Sequence, residues 1–398
     1  MNALFLTIAY PRLPENPNMY GDLALEFRRN GHAIYVATVL ESKTGEETRL
    51  EEEAGIPVLR VKCGDMFGVG FVRKGISTVN MPGRMIRAIE RHLGGIRFDL
   101  IFCTTPHVTF YKALRYLKTR DGCPAYLILR DIFPQNARDL GALRNPLLFI
   151  WFRGMEKRLY GVSDSIGCMS PGNVEHIRRL DPAAGRKCEL LPHWKTVETD
   201  PPNRTTDYRA AYGLGNRFVA VFCGVMGIAQ ELDFLMELAK TYRDDESVCF
   251  LLMGEGTEKK RLEQMARDER LSNVLIKDKI PSRELAALLP QCDIGLINLN
   301  RHFTVPNIPS KTLDYFEARI PVLAAIDPAT DYGGLLDEAR AGFWCLTGDL
   351  EAYRRNFERL RRDPDLRRRM GQAGRNYLET KMSTKEAYEK VARLGRAN

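Results

Sequence analysis

Apolar residues fall along this chain in short unbroken runs, with segments of helical period between them. Residues 3–8 form the first run, a Pro- and Asn-rich loop follows to Asn18, and Leu23, Ala24, Leu25 and Phe27 mark one face of a helix that Gly31 and His32 end. Residues 33–38 are the second run, so the chain opens on a βαβ unit. Runs at 58–61, 100–103, 126–129 and 165–169 predict further strands. Helical stretches lie between several of them, as a parallel sheet covered on both faces requires. Residues 190–194 close this half, and 199–203 read as a polar, Pro-rich link. A second series follows, with strands expected at 218–223, 248–253, 273–276, 294–299 and 321–325. Between its first two strands lie a glycine-containing turn at 224–230 and a helix face of Leu232, Phe234, Leu235, Leu238 and Ala239. Residues 363–394 form a charged helical tail able to pack back across both halves.

The pattern predicts an α/β protein of two Rossmann-like, doubly wound domains facing across a cleft. At 398 residues the chain exceeds one ordinary core. The expected boundaries are residues 1–197, with a helix at 383–398 packing back on them, and residues 198–382. Ligands of such sheets bind at the carboxyl ends of the strands.

Charge adds a surface to this picture. The net charge is +8, and residues 58–120 carry twelve basic against three acidic side chains. That segment includes the apolar stretch 66–72, and residues 146–153 read Pro-Leu-Leu-Phe-Ile-Trp-Phe-Arg. Basic charge beside apolar residues fits an anionic membrane surface, while the alternative is that the charges are solvated faces and 147–152 a core helix. No nucleic-acid module is present in the sequence, so nucleic acid is not an expected partner. The nine cysteines are scattered without metal-ligand spacing, which fits a reduced cytoplasmic setting. The chain enters its first strand without a leader pattern, and no apolar run is long enough to span a bilayer.

The richest chemistry lies at residues 306–323. Pro309 suits the first turn of a helix, Ser310 and Lys311 follow, and Asp314 stands one turn further along the same face. Free N–H groups at a helix start, with a lysine beside them, favour a phosphate. Gly224 and Gly227 form a turn whose amides can serve the same anion. In the first half Asp131 ends a strand before a Phe-Pro break, where it can act as general base, pair with Arg130 or cap the next turn. Pro134, Gln135 and Asn136 follow it, and His107 ends another strand. His32 and the His193-Trp194 pair read as structural, Glu156 reads as a surface charge, and Ser170 lacks the setting of a hydrolase nucleophile.

These blocks together resemble the GT-B-fold glycosyltransferases of family 4, particularly bacterial transferases of surface-polysaccharide (capsule or O-antigen type) assembly. The resemblance runs nearly end to end and rests on 18–24 with 30–32, 130–137 with 140–141, 224–230, 253–256 and 309–314. It implies retaining transfer of a hexosyl or N-acetylhexosaminyl group from a nucleoside-diphosphate sugar, UDP favoured. The implied acceptor is a polyprenyl-diphosphate-linked saccharide at the inner face of the membrane. Donor contacts would come from Gly224, Gly227, Gly254, Lys277, Ile280, Asn307, Pro309, Ser310, Lys311, Thr312 and Asp314, with Asp314 on the ribose diol. Acceptor or sugar contacts would come from Asn18, Tyr20, Gly21, His107, Arg130, Asp131, Pro134, Gln135 and Asn136, and catalysis from Asp131 and Lys311. No metal or other cofactor is implied. The chain departs from the family where Pro306 replaces the first glutamate of the Glu-x7-Glu motif and where Gln230 and Glu231 replace a basic pair. Asn300, His302, Thr304 and Asn307 are the donors nearest Pro306, and Lys259 is a further candidate charge. Two rival readings share the fold: a nucleotide-sugar 2-epimerase and an inactive nucleotide-sugar-binding partner subunit.

Overall fold

The computed structural model describes residues 1–13, 18–65, 71–197 and 206–396, with the backbone alone for 71–74 and 76. Residues 66–70 of the apolar stretch and the whole 199–203 link lie outside the described residues. The chain forms two units, Met1–Thr196 with Thr384–Asn398, and Val197–Ser383.

Unit 1 runs β1 (Asn2–Leu6), α1 (Met19–Arg29), β2 (Ala33–Leu40), β3 (Arg49–Glu53), β4 (Ile56–Lys62), α2 (Phe71–Leu93), β5 (Leu100–Thr104), α3 (Tyr111–Asp121), β6 (Ala125–Leu129), α4 (Gln135–Asp139), α5 (Pro146–Val162), β7 (Ser165–Cys168), α6 (Pro171–Leu180), α7 (Pro182–Gly185) and β8 (Cys188–Leu190). Its sheet has the order β3-β4-β2-β1-β5-β6-β7-β8. The central strands β5 and β6 are buried at every position, which is why their sequences are apolar throughout. The sheet is mixed rather than parallel throughout, because β3 pairs antiparallel with β4. β3 reads Arg-Leu-Glu-Glu-Glu and lies at the sheet edge, so it carries no apolar run to announce it.

Unit 2 runs α8 (Tyr208–Ala211), β9 (Phe218–Val225), α9 (Leu232–Lys240), β10 (Val248–Glu255), α10 (Lys259–Asp268), β11 (Val274–Lys277), α11 (Ser282–Leu288), β12 (Ile294–Asn298), α12 (Thr312–Glu317), β13 (Val322–Ile326), α13 (Tyr332–Ala339), β14 (Gly342–Leu346), α14 (Leu350–Arg362) and α15 (Pro364–Lys381). All of its strand pairings are parallel, in the order β11-β10-β9-β12-β13-β14. Phe218, Tyr242, Phe250 and Phe357 form one aromatic cluster in its core, and Phe234 stacks on Tyr353 at 5.3 Å between centroids.

The charged tail is divided between the units. α15 belongs to unit 2, and α16 (Thr384–Arg396) belongs to unit 1. Ala387, Tyr388, Val391 and Ala392 of α16 are buried in the same core as Phe5, Phe27 and Phe102. Phe5, Phe102 and Phe27 stack in series at 4.7 and 5.4 Å, and the Tyr388 ring meets Phe27 edge-on at 5.1 Å. The Tyr388 hydroxyl lies 2.9 Å from His32 Nε2. Truncating this ring removes a buried aromatic from a packed core. Tyr388→Ala is expected to destabilise unit 1 by about 3–5 kcal/mol, and Tyr388→Phe by about 1 kcal/mol through the lost hydrogen bond. Urea unfolding of the variants checks both values.

Candidate functional site

In unit 2 the carboxyl ends of β9 and β10 run together, with Gly224 opposite Gly254 and Val225 opposite Glu255. Gly224 has φ +133, and a Cβ built on Gly254 would lie 1.8 Å from Gly224 O. Only two glycines allow this approach of backbone to backbone. The turn beyond, at Gly227, closes with Gln230 N donating to Gly227 O at 3.0 Å.

Lys311 reaches this turn from α12. Its Cε and Nζ would lie 3.5 and 3.7 Å from a Cβ on Gly224. Nζ donates to Gln230 Oε1 at 2.7 Å and stands 3.9 Å from the centre of the Phe222 ring. Burial pushes its pKa down to about 8. Among the described residues no carboxylate pairs with it. A desolvated ammonium held by one amide oxygen and one ring face is arranged to receive an anion.

The helix start differs from the expected one. α12 begins at Thr312, three residues after Pro309, and is six residues long. Thr312 N, Leu313 N and Asp314 N donate to the carbonyls of Pro309, Ser310 and Lys311. These tight i→i−3 bonds use the first-turn donors internally. The amides of Ser310 and Lys311 have no acceptor among the described residues, so the backbone donors available here lie before the helix. Thr312 is buried, its hydroxyl donating to Pro309 O at 2.7 Å and lying 2.7 Å from the Tyr332 hydroxyl, so it braces the turn from inside. Pro309 is buried, Ser310 exposed and Asp314 partly buried. Asn307 fixes the preceding loop through its carbonyl, which accepts from Thr330 Oγ1 at 2.7 Å.

Tyr315, one turn after Lys311, holds α12 against the sheet. Its hydroxyl lies 3.2 Å from Val221 O and 3.1 Å from Leu296 O, and accepts from Cys223 N at 3.2 Å. Gly295 makes room for the ring, since a Cβ there would lie 2.5 Å from Tyr315 Cγ.

The missing basic pair has a structural counterpart. Gln230 accepts from Lys311, and Glu231 accepts from Arg301 N at 2.8 Å and from the Arg301 guanidinium. Asn300 donates to Ile228 O at 2.9 Å, so it ties its loop to the same turn. Lys259 pairs with Asp278. Lys277 ends β11, with Nζ 5.5 Å from the centre of the Tyr212 ring, and Ile280 lies partly buried just beyond. Gln230, Phe222, Tyr212 and Tyr315 are not among the sequence candidates. Their partners lie far away in the chain, and no local motif marks them.

In unit 1 the second group of candidates lies at the ends of β5 and β6. Arg130 N and Asp131 N both donate to Thr105 Oγ1, at 2.8 and 2.9 Å. Asp131 accepts from Asn136 Nδ2 at 3.4 Å, and burial raises its pKa against the opposing pull of Arg130. Arg130 is buried. It donates to the carbonyls of Leu191 and Pro192 and lies 4.5 Å from the centre of the Trp194 ring, so its charge is engaged inside unit 1. Tyr20 packs edge-on to Trp194 at 6.4 Å, and burial raises the pKa of its hydroxyl while Arg130 lowers it and Asp131 raises it. Asn18 caps α1 by accepting from Tyr20 N and Gly21 N, and Gly21 leaves room for Leu13. His107 precedes the 3-10 turn 108–110 and packs edge-on to Phe110 at 6.3 Å. Pro134 is buried at the start of α4, and Gln135 bridges Asp139 and Arg153. Glu156, expected as a surface charge, is buried. Arg153 and Tyr160 both donate to it, which is how a carboxylate in a charged stretch comes to lie inside. Among the described residues no group of three His, Cys, Asp or Glu is placed to hold a metal ion.

Residues 205–377 match the family model described as Glycosyl transferases group 1. No curated protein matches the chain. Similar solved structures include a sucrose-phosphate synthase from Thermosynechococcus elongatus, at TM-score 0.80 and 13% identity over 100% of this chain and 98% of that one. WaaG, a glycosyltransferase involved in lipopolysaccharide biosynthesis, aligns at TM-score 0.69 and 13% identity over 100% and 99% of the two chains. HepE of Anabaena in complex with UDP aligns at TM-score 0.69 and 14% identity over the full length of both. The chain therefore has the GT-B fold, and residues 205–377 of its second unit are similar to the group 1 glycosyl transferases.

Proposed function

We propose that this protein is a retaining glycosyltransferase that moves a sugar from a UDP-sugar to a hydroxyl of a polyprenyl-diphosphate-linked saccharide in surface-glycan synthesis. Lys311 carries the reading: a partly buried cation beside the Gly224–Gly254 close approach, without a carboxylate partner among the described residues. A diphosphate leaving group supplies the charge that this lysine lacks. The amides of Ser310 and Lys311 add neutral donors fixed before the reaction begins. Asp314 is assigned to the ribose diol, and Lys277 with Ile280 to the base. HepE was solved with UDP and with UDP-glucose, which supports the choice of nucleotide.

Acceptor activation falls to unit 1. Asp131, raised in pKa by burial and oriented by Asn136, is assigned as the base or positioning group for the acceptor hydroxyl, with Tyr20 beside it. The leaving diphosphate shares in taking the acceptor proton on the same face of the sugar, which gives retention without a protein nucleophile. No metal enters this scheme. The protein works at the inner face of the membrane, which it meets through unit 1.

Transfer from UDP-sugars to a lipid-linked acceptor, followed by product mass, tests the reading. Epimerised donor in the absence of acceptor would instead identify a 2-epimerase. Lys311→Met is expected to weaken UDP binding by about 1.5–3 kcal/mol, the range of a charge-assisted hydrogen bond, in a calorimetric titration. The same lysine sets a pH dependence. Its folded pKa of about 8 lies below its ordinary 10.5, so between these values the unfolded chain holds the extra proton and stability of the free protein rises with pH. The diphosphate favours the charged form, so UDP affinity is expected to fall above about pH 8, by up to about tenfold per pH unit, with proton uptake on binding. Both effects vanish in Lys311→Met. Asp131→Asn is expected to lower kcat by about 10²–10⁴ while leaving the Kd for UDP unchanged, as steady-state rates and titration together will show.

A further inference from the structure

The donor chemistry leaves one surface of unit 1 unexplained, the corner where α4 leads into α5. Asn145 caps α5 and Pro146 opens it. Its first two turns place Leu147, Ile150 and Trp151 on one face, and these are 75%, 66% and 43% exposed. Isolated exposed apolar residues are ordinary, but three at i, i+3 and i+4 form a contiguous patch that marks an interaction. The same face continues one helical repeat later with Lys157 and Arg158, both exposed.

Cations also gather behind the patch. The guanidinium of Arg138 lies 4.6 Å from the centre of the Phe149 ring, and that of Arg153 lies 5.3 Å from it. Arg153 is engaged by Glu156 and Gln135. Arg138 and Arg144 have no carboxylate partner among the described residues, and Arg144 Nε donates only to Gly141 O. The carboxylates of the corner are already in use: Asp139 accepts from Gln135, and Glu156 from Arg153 and Tyr160. The corner thus presents an apolar tip ringed by cations.

We propose that this corner is the membrane-docking surface, with Leu147, Ile150 and Trp151 entering the headgroup–acyl boundary and Arg138 and Arg144 holding phosphates of anionic lipids. Tryptophan at the tip suits that boundary, where an apolar ring meets a wet headgroup layer. Free guanidiniums suit lipid phosphates, which they bind in a planar, two-pronged geometry. The tip protrudes from a helix that is capped and packed, so docking requires no unfolding. Among the described residues no helix is long and apolar enough to cross a membrane, so contact through this corner is interfacial. The inference rests on the membrane part of the proposed function and is independent of the donor chemistry.

Flotation of the full chain with vesicles of phosphatidylglycerol and phosphatidylcholine, against phosphatidylcholine alone, tests it. Trp344→Phe provides the background for fluorescence, because Trp194 is buried and Trp151 then reports the surface. The expected result is tighter binding to the anionic vesicles, with Trp151 emission shifted to the blue. Leu147→Asp with Ile150→Asp should lower vesicle affinity about 100-fold, and Arg138→Gln with Arg144→Gln about 30-fold with a flatter salt dependence. UDP titration confirms that each variant is folded in unit 2, and near-UV circular dichroism does so for unit 1. Wild-type protein that binds UDP but floats with no vesicle removes the membrane part of the proposed function. If the wild type floats, variants that float equally well with Trp151 emission unshifted overturn the assignment of this corner alone, and equal binding to neutral vesicles overturns the assignment of Arg138 and Arg144 to anionic lipid phosphates.

Discussion

The candidate donor site depends on the hydroxyl of Tyr315. β9 and β10 pair across eight positions, but β9 and β12 pair at only two, Ala220 with Ile294 and Val221 with Gly295. Past that point the strands diverge, and backbone groups of both lose their partners. Tyr315 fills the opening and meets Val221 O, Leu296 O and Cys223 N with one hydroxyl. Buried backbone donors and acceptors must be paired, so the divergence is tolerable only with such a group in place. The arrangement fixes α12 on the sheet, and Lys311 is one turn away, its carbonyl accepting from Tyr315 N at 3.2 Å. The ring that supports the strands therefore also sets where the ammonium stands.

Part of this was legible in the sequence. The central strands are apolar because both faces are covered, and the glycines at 224 and 227 announce a turn. The edge strand β3 is charged and gives no such signal, and β8 is only three residues long. β14 reads Gly-Phe-Trp-Cys-Leu, with Leu346 exposed and Trp344 covering Gly333, so its pattern is ambiguous. Pro309 suggested a helix start, yet the helix begins at Thr312, because the Thr312 hydroxyl and three tight backbone bonds define a turn first. The partner of Lys311, Gln230, lies 81 residues away and could be found only by folding the chain.

Unit 1 illustrates how local charge misleads. Glu156 lies among Arg153, Lys157 and Arg158, a sequence that suggests a solvated face, but its carboxylate is buried and doubly hydrogen-bonded. Arg130 stands beside Asp131 in the sequence as an apparent pocket pair. In the fold the guanidinium turns to the carbonyls of residues 191 and 192, while the carboxylate stays with Asn136. The two side chains share a strand end but turn to different partners.

The placement of α16 has a consequence for how the protein is made. Most of unit 1 is translated before unit 2, yet Tyr388 and Val391 of its core are added only after all of unit 2. On the ribosome, β9 to α15 can therefore complete a closed body while the earlier unit still shows the apolar face that α16 covers. Exposed apolar surface of that kind is what chaperones bind and what aggregation begins from. A nascent chain halted after Ser383 would carry a finished second unit and an unfinished first one, and quality control would sense the absence of α16 through the open core of unit 1.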